Sequence, residues 1–101
     1  MASWHTVGTK SFSVSVTSPP TITWEVEAPQ IVKPGDTVYV NVKVYANKQV
    51  QVRATVGLFG TSQQKTSTAY STTTPSIITF QFKAPTTEGP YNGSVKLEAY
   101  Y

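Results

Sequence analysis

The feature that most restricts this chain is an unbroken alternation in its centre. Val38, Val40, Val42, Val44 and Ala46 are interleaved with Tyr39, Asn41, Lys43 and Tyr45. Successive side chains of an extended chain point to opposite faces, so this spacing gathers the aliphatic residues on one side. A helix would scatter the same residues around its axis. β-Branched valines also suit a pleated surface packed on one face. The segment is therefore a half-buried strand, and a strand needs partners.

The same period supplies them. Val50, Val52, Ala54, Val56 and Leu58 continue the pattern after Asn47-Lys48, read here as a short hairpin connection. Ile22, Trp24, Val26 and Ala28 alternate with Thr23, Glu25 and Glu27, closed by Pro29. Phe12, Val14 and Val16 alternate with serines until Ser18-Pro19-Pro20, because proline cannot donate to a ladder. Ile78, Phe80 and Phe82 form another inward row, and Tyr91, Gly93, Val95, Leu97 and Ala99 the last, opposed by Asn92, Ser94, Lys96, Glu98 and Tyr100. Residues 64–72 are polar on both faces apart from Ala69 and Tyr70, as on an exposed edge strand. Turns are marked at Lys33-Pro34-Gly35-Asp36, Gly60-Thr61-Ser62 and Thr72-Thr73-Thr74-Pro75. No segment keeps a helical period.

About seven short strands in 101 residues define an all-β, two-sheet antiparallel Greek-key sandwich of the immunoglobulin-like kind. The expected organisation is an N-terminal arm over residues 1–8 and one domain over residues 9–101. Its core is expected around the valine rows with Trp24, Phe80, Phe82 and Phe12. Cysteine is absent, so neither a disulfide nor a thiolate metal site supports that core.

Ile31 to Tyr45 resembles the second strand of bacterial and archaeal immunoglobulin-like surface modules, including CARDB-type adhesion domains. Those carry a Pro-Gly-Asp turn before alternating valines and threonines, matched by Pro34-Gly35-Asp36-Thr37-Val38. Ala84-Pro85-Thr86-Thr87-Glu88-Gly89-Pro90-Tyr91 looks like the loop entering the penultimate strand. Gly89 and Tyr91 have the spacing of a tyrosine corner, whose phenol hydrogen-bonds to the loop backbone. Thr87 stands where that motif usually has Asp. The resemblance covers residues 20–101 and implies an architecture rather than an activity. It also leaves the chain ending at Tyr101 without a final strand. Either residues 10–17 fill that edge, or a neighbouring molecule supplies a strand. The first is favoured, because it consumes a strand that is otherwise supernumerary.

Nothing in the sequence assembles into a catalytic site. Glu25 and Glu27 share a strand face, but no cleft accompanies them, and Lys43 or Arg53 are the expected cross-strand partners. They do not gather enough oxygen ligands with Asp36 to hold calcium. His5 is the sole histidine, no serine has an evident base, and Gly57 and Gly60 are too sparse for a phosphate loop. Asn92-Gly93-Ser94 fits the glycosylation sequon, a pattern short enough to arise by chance. No enzyme activity, cofactor or metal site is expected. The net charge of +3 rests on dispersed lysines and one arginine, Arg53, so no basic patch for nucleic acid is expected. No run is apolar enough to insert in a membrane.

What remains is surface chemistry. Ser and Thr make up about a quarter of the chain, a bias associated with secreted, cell-surface and virion proteins. Met1-Ala2-Ser3-Trp4 does not open like a secretory leader, which fits a protein that needs no export signal or one whose leader has been removed. The candidate interaction residues are Trp4, Tyr39, Tyr45, Phe59, Tyr100 and Tyr101: outward tyrosines, a strand end and two aromatic termini. The expected partners are other protein subunits, including identical copies. The expected role is a structural or assembly module, either a small virion component (minor capsid, penton or decoration protein) or a cell-surface layer or filament subunit. The alternative is an adhesion or carbohydrate-binding module of a larger secreted protein, stacking sugars on Tyr39 and Tyr45.

Overall fold

The structure is a computed structural model that describes residues 1–16 and 18–101. Among these residues six strands form two antiparallel sheets of three: β1 (Ile22–Glu27), β2 (Thr37–Ala46), β3 (Val50–Leu58), β4 (Thr61–Ala69), β5 (Ser76–Lys83) and β6 (Ser94–Tyr100). The first sheet runs β1-β2-β5 and the second β4-β3-β6. The architecture is the expected all-β sandwich, with six strands rather than seven.

The core is where the valine rows meet. Val38, Val40, Val42, Val44 and Ala46 face Val50, Val52, Ala54 and Val56, with Ile78, Phe80, Phe82 and Ala84 beside them, all buried. No polar side chain is buried among the described residues. The Asn47–Gln49 connection differs from the sequence reading. It does not close a hairpin, because β2 pairs with β1 and β5 while β3 pairs with β4 and β6. The chain instead arches from one sheet to the other. Two strands that each carry a fully apolar face bury more by stacking face to face than by lying side by side.

The turns follow backbone chemistry. Gly35 adopts φ 79° after Pro34, and the Asp36 amide donates to the Lys33 carbonyl at 3.1 Å. That is a type II arrangement, in which proline suits the first central position and glycine the second. The next turn lies one residue earlier than expected, with Phe59 at φ 53° and Gly60 at φ 74° joining β3 directly to β4. Two positive φ values match the twist of a tight hairpin, although Phe59 has a Cβ to accommodate.

The largest departure is N-terminal. Residues 10–16 form no strand, and Phe12 is 90% exposed rather than part of the core; Thr17, the end of that expected strand, lies outside the described residues. Residues 9–16, expected inside the domain, lie outside both sheets. The described residues reach 94 Å along their longest axis, and their radius of gyration is 23.7 Å. A compact chain of this length would have a radius near 13 Å. Alternation marks which face of a segment is apolar; it does not provide a neighbour to cover that face.

Candidate functional site

The two sides of the sandwich differ. On one side β4 lies over β5 and covers its edge: Lys65 Nζ donates to the Thr79 carbonyl at 2.6 Å and Gln63 Nε2 to the Gln81 carbonyl at 2.7 Å. Ser76 Oγ returns a bond to the Thr68 carbonyl at 2.6 Å. An unpaired sheet edge is a template for another strand, and these side chains occupy it. The expected edge strand is present, but over Thr61–Ala69 rather than residues 64–72, so Tyr70, Ser71 and Thr72 lie beyond its end, and its polarity has a purpose.

On the other side β1 and β6 leave the sandwich open. Trp24 and Val26 turn their side chains inward, as the sequence predicts, but remain 43% and 42% exposed. The expectation that Trp24 sits in the core is corrected: it lines a wall whose opposite side is missing. Val95, Leu97 and Ala99 of β6 are likewise only partly buried. Between these walls lies a groove of about 810 Å³, lined by Trp24, Val26, Val38, Val40, Val56 and Val95 among others. Part of its floor is the hydrophobic core itself. No Asp, Glu, Lys, Arg or His side chain lines it.

One end of the groove is shaped by the loop before β6. Phe59 packs edge-on against Tyr91, with centroids 5.4 Å apart and an interplanar angle of 81°. The Tyr91 hydroxyl donates to the Thr87 carbonyl at 2.8 Å, the bond a tyrosine corner requires. Only a backbone carbonyl is needed there, so Thr87 serves in place of Asp. A Cβ on Gly93 would stand 3.1 Å from the Gly57 carbonyl and 3.1 Å from Leu58 Cδ1, so the close approach of loop and β3 uses its missing side chain.

The arm leaves from the opposite end, where β1 begins. Asn47 holds Thr21, accepting its amide at 2.9 Å and donating its own to the Thr21 carbonyl at 3.2 Å, and Lys48 Nζ donates to the Ser18 carbonyl. Beyond that root Trp4, Val7, Phe12, Val14 and Val16 are all exposed.

The six candidate aromatics do not converge. Tyr39 and Tyr45 lie on the outer face of β2, six residues and about 20 Å apart, with Asn41 and Lys43 between them. Tyr39 is exposed and Tyr45 half-buried. Phe59 is at the groove, Tyr100 ends β6 at the far end with Tyr101 just after it, and Trp4 is on the arm. The groove was not legible as a site, because inward alternation looks the same whether a row is covered or bare.

The charged residues pair across strands. Lys43 pairs with Glu27, one of its two expected partners, which raises the ammonium pKa through their hydrogen bond. Arg53 lies on the other sheet and grips Glu98 with two hydrogen bonds, at 2.9 and 3.3 Å, so it is not a partner of Glu25 or Glu27. That grip holds the Glu98 carboxyl below its ordinary value. Among the described residues no three His, Asp or Glu side chains gather as a metal site would require.

Two antiparallel sheets joined in this order, with a tyrosine-corner loop, make a CARDB-like immunoglobulin-like sandwich. The chain is similar to the CARDB domain of a Pyrococcus furiosus protein, solved in complex with di-metal ions. The TM-score is 0.63 and the identity 23%, over 77% of this chain and 69% of that one. At that identity the likeness concerns the fold. No protein-family model matches the chain, and no curated protein does.

Proposed function

We propose that this chain is a non-enzymatic assembly module, a repeated subunit of a cell-surface layer or filament or of a virion, built to bind other protein subunits. The observation that carries this reading is the pairing of an open apolar groove with an exposed apolar arm on one small domain. An apolar groove without charged or imidazole groups offers a place to bury hydrocarbon, not a place to move protons. Exposed apolar surface of this extent is a liability unless a partner covers it. The carbohydrate-binding alternative is disfavoured by the spacing of Tyr39 and Tyr45, which leaves no continuous aromatic platform.

The test is size by light scattering over a range of concentrations, with electron microscopy of the concentrated sample and a glycan-array screen in parallel. Regular oligomers or filaments are the expected result. A monomer at every concentration that binds glycans, with loss on Tyr39→Ala, would overturn the proposal.

A further inference from the structure

We infer that the occupant of the β1/β6 groove is the N-terminal arm of a second copy of this chain, inserted as an added strand beside β6, so that copies link head to tail. The inference rests on the assembly reading above and names the device that would carry it out.

The arm has the form of the strand the groove lacks. Phe12, Val14 and Val16 fall on one face and Ser11, Ser13 and Ser15 on the other. A strand beside β6 would turn the first row onto the core and the second to water, as β2, β3 and β5 do. Six residues, Ser11 to Val16, span about 20 Å, close to the length of the seven-residue β6. The inward rows of β1 and β6 that would receive it, with Trp24 and Val26 on one wall and Val95 and Leu97 on the other, are the ones left incompletely buried.

Three features favour another copy over self-insertion. The arm is rooted at the Ile22 end of β1, where Ile22 stands opposite Ala46, whereas the groove is lined at the other end, by Val26, Val38, Leu58 and Val95. Residues 18–21 form no turn, and Pro19-Pro20 has fixed φ angles that favour a stiff, extended lead. Strand direction is the third. β1 runs away from the arm's root and β6 runs back towards that end, so an arm folded back on its own domain would lie parallel to β6. Every pairing in both sheets is antiparallel, the slightly stronger kind. An arm arriving from a second copy can enter antiparallel. Arm and groove are different surfaces of one molecule, so their contact is heterologous and repeats into a ring or an open filament.

The chain has no cysteine, which permits a clean test by disulfide trapping. Lys96 is exposed on the outer face of β6, and Ser13 and Ser15 are in the arm's polar row, so cysteines there leave the apolar contacts intact. Full-length Ser13→Cys/Lys96→Cys and Ser15→Cys/Lys96→Cys chains are oxidised under mild conditions and run on non-reducing gels, beside light scattering of the reduced chains. The expected result is a ladder of covalent multimers from at least one pair. A mixture of the corresponding single variants should give covalent dimers. In the same chain without cysteines, Val14→Asp should raise the concentration needed for assembly on the order of thirtyfold, as for loss of an interface hot spot. A covalently closed monomer as the sole product would mean that the arm fills its own groove and would overturn the inference. Large assemblies with no trapped product from either pair would also overturn it, leaving the assembly reading intact. Monomers at all concentrations would overturn both.

Discussion

The openness of the β1/β6 side can be measured in an isolated chain by comparing two aromatic truncations. Phe80 is fully buried between the sheets, whereas Trp24 is 43% exposed at the groove wall. Phe80→Ala removes a buried ring and leaves a cavity, which costs about 3–5 kcal/mol. Trp24→Ala forfeits only the covered part of a larger side chain and leaves no enclosed void, so its cost should be about 2 kcal/mol. Domains of this size have a net stability of about 5–15 kcal/mol, so the first substitution removes a large share of it and the second does not. The assay is urea unfolding followed by circular dichroism, at a concentration low enough to keep the chain monomeric. With a urea dependence near 1.5 kcal/mol per molar, the midpoints should fall by roughly 2.5 M for Phe80→Ala and 1.3 M for Trp24→Ala. Repeating the comparison under assembling conditions should widen the cost of Trp24→Ala, because an occupied groove buries the indole. Equal costs in the dilute monomer would refute the reasoning, since they would mean that the groove is already closed.

Three further outcomes are expected. At position 59 the left-handed backbone reverses the usual penalty for glycine: Phe59→Gly should be more stable than Phe59→Ala by about 1 kcal/mol in the same urea assay, both having lost the contact with Tyr91. Tyr91→Phe keeps that ring contact but deletes the bond to the Thr87 carbonyl, and should cost about 1 kcal/mol. Glu98 has a folded-state pKa below its unfolded value because of Arg53, so its contribution is present above the unfolded value and is lost as pH falls through the folded one. Glu98→Gln should therefore flatten the acid limb of the stability–pH curve, measured by thermal melts, and leave the alkaline limb unchanged. Lys43 is the opposite case: its pKa is raised by Glu27, so its contribution is complete below pH 10.5 and lost only as pH rises through the folded value.

The groove and its neighbours show how far local pattern reaches. The alternation from Val38 to Leu58 correctly identifies both strands and the face each buries, because side-chain direction in an extended chain is a local geometric fact. The Pro34-Gly35 turn and the Tyr91 corner are equally local: a fixed φ, a residue tolerant of positive φ, and a phenol four residues from its acceptor. The polar stretch from Gln64 through Ala69 reads correctly as an edge, although the strand begins at Thr61 and its role as the cover of β5 is not legible.

The sequence by itself therefore determined the strand character of the chain, most of its turns, its sandwich class and the apolar sense of each row. Only the tertiary structure decided which rows find a cover. Phe12 and Phe80 sit in segments with the same alternation, yet one is bare and the other wholly buried. The difference is a long-range one, because a strand is stabilised by partners distant in sequence, and ordering a segment costs conformational entropy that only such partners repay. For the same reason the connection after Ala46 became an arch between sheets, and Trp24 became the wall of an open groove rather than the centre of a core.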